Sequence, residues 1–106
     1  MGHREAIKDI VGTLKAKYYP QKIILFGSCV SGRVNKNSDI DMLIIKDTNK
    51  SYGARFLEVC QLARNLKRHI PFEPFVLTPQ ELKKESSRNL FLQEIIKKGK
   101  VLYEKN

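Results

Sequence analysis

The sequence predicts an α/β (α+β) fold, a small mixed β-sheet of three to four strands flanked by helices. Three observations point there. Stretches with apolar residues at helical spacing alternate with short runs rich in β-branched residues. The connections between those runs differ in kind: one is too short for a crossover between parallel strands, and another contains a whole helix. Late in the chain, Thr78-Pro79-Gln80-Glu81 reads as a helix start laid directly after a strand. At 106 residues the chain is expected to form one domain, 1–106, large enough for its own core.

Taken in order, residues 3–18 carry Ile7, Ile10, Val11, Leu14 and Tyr18 on one helical stripe, and Pro20 ends that helix. KIILF at 22–26 is a strand closing on a Gly27-Ser28 turn. Ser31-Gly32 and Asn35-Lys36-Asn37-Ser38 read as loop, with a short helix at 29–33. IDMLIIK at 40–46 is continuously apolar, as suits an interior strand covered on both faces. A helix over 52–69 follows, with Phe56, Val59, Cys60, Ala63, Leu66 and Ile70 inward and Arg55, Arg64, Lys67 and Arg68 on the other face. FEPFVL at 72–77 is a strand that Pro74 assigns to a sheet edge. Thr78 then caps a helix that breaks near Ser86-Ser87, a second helix runs to a cap at Gly99, and VLYE at 101–104 forms a last short strand.

Composition narrows the class of protein. With 42% hydrophobic residues, no apolar run near the roughly 20 residues that span a bilayer, and no signal-like N-terminal pattern, the expectation is a cytoplasmic protein. Cys29 and Cys60 are read as reduced packing thiols, with Cys29 the one to test for reactivity. Twenty basic residues against eleven acidic ones give a net charge of +9, which favours anionic partners such as nucleotides, nucleic acid or an acidic protein. A solvated, solubilising surface is the plain alternative. The Arg64, Lys67, Arg68 face is the place where an acidic partner or RNA would dock.

The chemistry concentrates in FGSCVSGRVNKNSDIDMLII, residues 26–45. Ten residues separate Ser28 from Asp39, fewer than a parallel crossover needs, so the first two strands are expected to be antiparallel. The Gly27-Ser28 turn then lies beside Asp39 and Asp41. The helix-containing connection to the third strand makes the second and third strands parallel, which brings Glu73 to the same sheet end. Asp39 and Asp41 point to one face because side chains alternate along a strand. With Glu73 on that face, three carboxylates converge and repel one another unless cations neutralise them. Hard oxygen ligands suit Mg²⁺ or Mn²⁺, and two such ions about 4 Å apart are the apparatus of phosphoryl or nucleotidyl transfer. Gly27 admits a close backbone approach to phosphates, Ser28 adds donors, and Arg33 and Lys36 of the loop can assist.

A Gly-Ser, ten residues, then Asp-Ile-Asp, with strands on either side, resembles the GSx10DxD signature of the DNA polymerase β-like nucleotidyltransferase superfamily. The short length, the preceding helix and the closing FLQEIIKKGKVLYE look like its minimal nucleotidyltransferase group, the MntA-like antitoxins paired with HEPN-domain (HepT) toxins. The resemblance implies a palm-like nucleotidyltransferase fold, phosphate contacts from Gly27 and Ser28, and two Mg²⁺ ions held by Asp39 and Asp41 with Glu73 as the third carboxylate. It also implies ATP as substrate, with AMP moved onto a hydroxyl, a tyrosine, of a HEPN-type partner that is thereby silenced. Two positions depart from the family pattern. Glu73 stands where an aspartate is usual, next to Pro74, and Cys29 stands where an arginine is common.

Plainer readings stand beside these. Asp39 alone would pass for a turn residue, and Glu73 for an exposed strand-start residue. Ser28 is not read as a nucleophile, because neither His3 nor His69 belongs to a motif that would make it a base; both histidines are expected at the surface. Tyr18 and Tyr103 are the tyrosines considered as exposed modification sites. The alternative function is an inactive or weakly active antitoxin that binds a HEPN toxin. A third is nucleic-acid binding through charge alone, possible in principle but not favoured, which predicts a steep salt dependence.

Overall fold

The structure, a computed structural model, describes residues 2–64, 66 and 70–106. Lys67, Arg68 and His69, on which part of the basic-face expectation and one histidine expectation fall, lie outside the described residues.

Helix α1 (His3–Lys17) buries Ala6, Ile10 and Leu14 completely, an i, i+4, i+8 row that holds Ile10 and Leu14 of the predicted stripe, with Ile7 and Val11 partly buried against the same core. Tyr18 is also buried, so it is not the exposed phenol considered from sequence. Burial, first of all, pushes its hydroxyl up to about 12. Strand β1 (Lys22–Phe26) leads through Gly27 into the single turn of α2 (Ser28–Ser31), and a loop returns the chain to β2 (Ile40–Ile45). Helix α3 (Tyr52–Arg64) crosses to β3 (Phe72–Leu77). Helices α4 (Pro79–Glu85) and α5 (Leu90–Lys98) and the short strand β4 (Lys100–Glu104) complete the order. Among the described residues no helix is long and apolar enough to cross a membrane.

The four strands form one mixed sheet in the order β3-β2-β1-β4. β1 and β2 are antiparallel and β2 and β3 parallel, as the two connection lengths require. Pro74 does lie on an edge strand. The sheet separates two cores. On one face Ile23, Leu25, Ile40, Met42, Ile44 and Val76 meet α1 and α3 through Ile10, Leu14 and Val59. On the other, Ile24, Leu43, Ile45 and Leu77 meet Leu92 and Ile95 of α5. β2, buried along nearly all its length between them, is the interior strand its apolar run predicts.

One outward assignment is corrected. Arg55, placed on the solvent face from sequence, is only 6% exposed and sits in the buried row with Val59 and Ala63. Its guanidinium bonds the Glu81 carboxylate at 2.7 Å and 3.3 Å, and its Nε donates to the Lys50 carbonyl at 2.8 Å. A charge can occupy an inner helical position when a partner distant in sequence neutralises it, and periodicity does not reveal that partner. Glu81 also closes the predicted capping box, with its own amide bonding Thr78 Oγ1 at 3.1 Å and its carboxylate accepting from the Thr78 amide at 2.9 Å.

Gly99 caps α5 at a φ of −70°, so a left-handed backbone is not the reason for glycine there. The reason is space: a Cβ would run into the Ile95 carbonyl and the Ile24 side chain and crowd the Leu25 carbonyl. Gly99→Ala is therefore expected to cost about 1–3 kcal/mol, the range for overpacking a closed interior. A denaturant titration with an unchanged midpoint would contradict this.

Candidate functional site

The register lines up the site. Phe26 of β1 pairs with Asp41 of β2, and Asp41 pairs with Glu73 of β3, so the three side chains share one row across the sheet and one face. That face is the one covered by α5. The helix stops short of the row, and Phe91 at its start packs edge-on against Phe26, ring centroids 5.8 Å apart, and beside Phe75 at 6.4 Å. An open cavity of about 370 Å³ remains, lined by Phe26, Asp41, Tyr52, Glu73, Pro74, Phe75 and Phe91. A second, of about 460 Å³, lies on the other side of the Phe26–Phe91 pair against Gly27, Val30, Ser31, Ile95 and Lys98.

Gly27 joins the two halves of the signature. Its backbone, at φ 79° and ψ −153°, occupies a region essentially restricted to glycine. A Cβ there would also overlap the Asp41 carboxylate, which lies directly against the Gly27 backbone. No other residue satisfies both conditions. After it, the amides of Val30 and Ser31 return to the Gly27 carbonyl at 3.1 Å, while the first amides of the turn, Ser28 and Cys29, have no preceding helical carbonyl to bond. These lie beside the aspartates, where an anionic ligand would sit.

The loop that delivers Asp39 is fixed by three sets of bonds. Asn35 and Ser38 bond each other in a tight turn, Asn35 N to Ser38 Oγ at 2.9 Å and Ser38 N to the Asn35 carbonyl at 3.0 Å. The His3 ring donates from Nε2 to the Ser38 carbonyl at 2.8 Å. The Cys29 thiol donates to the Asp39 carbonyl at 3.5 Å. His3 is thus not the free surface group expected from sequence; it ties α1 to the residue before Asp39. A contact spanning 35 residues leaves no trace in local pattern. Cys29 likewise has a structural task. Burial, then the charges of Asp41 and Asp39, push its thiol up, which disfavours the reactive thiolate. Arg33 and Lys36 lie exposed on the loop, and among the described residues neither forms an ion pair.

Burial pushes the Asp41 carboxyl up, and the neighbouring charges of Asp39 and Glu73 add to the rise. The three carboxylates named from sequence therefore share one electrostatic environment. As placed, they do not close into one cluster: among the described residues, no three His, Cys, Asp or Glu side chains stand close enough to hold a metal ion. The donor set nevertheless fits a hard divalent cation. It consists of carboxylate oxygens that repel one another and whose central member is held in a partly desolvated position where its charge is costly. Mg²⁺ or Mn²⁺ is the chemistry that relieves this.

Comparison with known proteins agrees with the geometry. Residues 8–106 match the family model for the polymerase β nucleotidyltransferase domain. A protein of Methanocaldococcus jannaschii, described as a "putative protein adenylyltransferase", is 32% identical over 105 residues, which cover 97% of this chain and 100% of that protein. The crystal structure of a protein from Sulfolobus solfataricus, described as a "putative nucleotidyltransferase", superposes with a TM-score of 0.66 at 17% identity, covering 95% of this chain and 79% of that one; at this identity the likeness speaks for the fold. With the match running from α1 through β4, the chain belongs to the polymerase β nucleotidyltransferase family and is a nucleotidyltransferase.

Proposed function

We propose that residues 1–106 act as one minimal nucleotidyltransferase domain that moves AMP from ATP, with Mg²⁺, onto a hydroxyl of a partner protein. The observation that carries this reading is the packing of Asp41 against Gly27 with Glu73 in the same register row, which supports a phosphate subsite beside a cation subsite. The description of the Methanocaldococcus relative supports a protein acceptor. In this reading Gly27 and Ser28 receive the phosphates through backbone amides and the Ser28 hydroxyl, and Asp39, Asp41 and Glu73 hold Mg²⁺. When bound, the cations neutralise phosphate charge and make the acceptor hydroxyl more acidic. The chain's own contribution is positional. The His3 and Cys29 bonds fix the backbone at Ser38 and Asp39, and the aromatic rings of Phe26, Phe75 and Phe91 pack together beside the row. The resemblance to MntA-like proteins supports a HEPN-domain toxin as partner and an antitoxin role in the cytoplasm.

A second reading, a binding antitoxin with a weak or inactive site, is favoured by Glu73 and Cys29 at positions where the family pattern has other residues. The two readings part in a neutralisation assay with a HEPN-domain toxin, the class of partner that this reading names. Under the enzymatic reading, Asp39→Asn/Asp41→Asn loses neutralisation although it still folds and binds the toxin. Full neutralisation by that double variant would establish the binding reading instead.

A further inference from the structure

A further cavity, of about 410 Å³, lies between α1 and β4, on the face of the sheet turned away from the carboxylate row. Its floor is apolar: Ile7 and Val11 of α1 and Leu102 of β4 pack on the core and are only partly buried. The rest of its lining, Arg4, Lys8, Gly12 and Lys15, is exposed. On a helix of 3.6 residues per turn the three cations fall within about 40° of one another and span about 16 Å along the axis. Among the described residues none of the three forms an ion pair. Glu5 and Asp9 of the same helix do not line the cavity. β4 ends the sheet order, so no further strand covers this side. Gly12 adds an independent sign. Glycine inside a helix is less stable than alanine, and a Cβ at Gly12 would meet nothing within 4 Å. Packing within the chain gives no reason for glycine there, whereas the close approach of another backbone does.

Charge and lining select the occupant. A second copy of this chain would bring its own net charge of +9 toward a cationic rim, and like charges repel. A nucleic acid would meet the cations with its phosphates but find no aromatic ring in the lining on which to stack a base. An apolar floor bordered by cations along a helix matches instead a second helix whose apolar stripe is flanked by Asp and Glu. Gly12 lets the axis of such a helix come close, and carboxylates at its i, i+4 and i+11 positions repeat the spacing of Arg4, Lys8 and Lys15. We propose that the groove between α1 and β4 docks an acidic amphipathic helix of a partner protein. A partner held there leaves the cavity beside Asp41 open, because the two lie on opposite faces of the sheet. This surface stands independently of the transfer chemistry proposed above.

The probe is a synthetic helical peptide with a leucine stripe flanked by glutamates, compared with a scrambled peptide of the same composition and with an RNA duplex. Titrated into the whole protein, the ordered peptide is expected to shift the NMR methyl signals of Ile7, Val11 and Leu102, and the scrambled peptide is not. Lys8→Glu/Lys15→Glu should weaken the ordered peptide roughly tenfold or more, and added salt should weaken it too, as for any charged rim. Lys83→Glu/Lys84→Glu, the same change of net charge on the exposed side of α4, should leave the affinity as it was. Gly12→Gln should raise the thermal midpoint of the free protein and weaken the peptide several-fold. The proposal is overturned if the ordered peptide shifts none of the three methyl signals, or if the scrambled peptide binds equally. It is equally overturned if the two charge reversals weaken binding alike, or if Gly12→Gln lowers the midpoint or binds as the wild type does. Tighter binding of the RNA duplex at the same methyl groups would give the groove to nucleic acid. A dimer in sedimentation that Lys8→Glu/Lys15→Glu dissolves would give it to a second copy, and either result would also overturn the proposal.

Discussion

Replacing Asp41 by Asn is expected to lower nucleotidyl transfer by roughly 10²-fold or more, the scale on which losing one preorganised charge-stabilising group slows group transfer. The same change is expected to make the protein more stable. The two effects have one cause. Asp41 is held partly out of water, against the Gly27 backbone and near Asp39 and Glu73, so its charge is disfavoured and its carboxyl is pushed up. Because its folded value lies above the unfolded one of about 3.9, the folded state binds the proton more tightly. Its contribution to stability is fully present below the unfolded value and is lost as pH rises through the folded value. Near neutrality the ionised carboxylate is a cost to the fold, and asparagine, nearly the same shape without the charge, removes it. Thermal melts in metal-free buffer should place the Asp41→Asn midpoint above that of the wild type near neutral pH, with the gap closing on acidification. Added Mg²⁺ should raise the midpoint of the wild type and leave the variant where it was. A variant less stable than the wild type at neutral pH would mean that Asp41 serves the fold, not the site.

Arg55→Leu should have the largest effect on stability, about 2–3 kcal/mol. The guanidinium ties three parts of the fold: Nε to the Lys50 carbonyl ahead of α3, Nη1 to the Val76 carbonyl of β3 at 3.4 Å, and both terminal nitrogens to Glu81 in the first turn of α4. Leucine keeps much of the apolar stem but leaves two carbonyls and a carboxylate without their donor. Removing one member of a buried pair costs about 3–5 kcal/mol. The lower figure applies here because the Glu81 side chain is 42% exposed and water can replace part of what it loses. The pH dependence runs opposite to that of Asp41. The hydrogen bond from Arg55 is the main cause that holds the Glu81 carboxyl below its ordinary range. Its contribution is present above the unfolded value of about 4.3 and is lost as pH falls through the folded value. Urea titrations of Arg55→Leu should show lower stability at neutral pH and a smaller loss on acidification than the wild type. Equal losses on acidification would mean that Glu81 is stabilised by its capping bonds to Thr78 and not by Arg55.

The placement of the candidate-site residues was legible in part because their spacing has a mechanical meaning. Ten residues from Ser28 to Asp39 force an antiparallel return, and a whole helix between β2 and β3 permits a parallel one. Those two facts bring Asp41 and Glu73 to the same end of the sheet, and the register of β2 on β3 then pairs them. The boundaries moved a little: α2 begins at Ser28 where 29 was expected, β2 ends at Ile45 where 46 was, and α5 begins at Leu90 behind an Asn89 cap. The Asn89 side chain accepts from the Leu92 amide at 3.0 Å, a helix start that the nearby Ser86-Ser87 pair obscured in the sequence. What local pattern does not hold is partnership across the chain. Arg55 looked like a solvated charge until Glu81 came beside it, and His3 like a surface histidine until the Ser38 carbonyl did. The aromatic wall is of the same kind. Phe26, Tyr52, Phe75 and Phe91 come from four separate elements, and only the sheet order and the placement of α5 bring them to the carboxylate row.

The central claim, that the row of Asp41 and Glu73 beside the Gly27-Ser28 turn moves a nucleotide and not a single phosphate, is tested most directly by the position of label in ATP. The protein is incubated with Mg²⁺, the HEPN-domain protein proposed as partner, and ATP labelled at either the α- or the γ-phosphate. Nucleotidyl transfer predicts that label from the α-phosphate alone appears on the partner and that Asp41→Asn abolishes it. Label from the γ-phosphate, or α-label transferred equally by wild type and Asp41→Asn, would contradict the account.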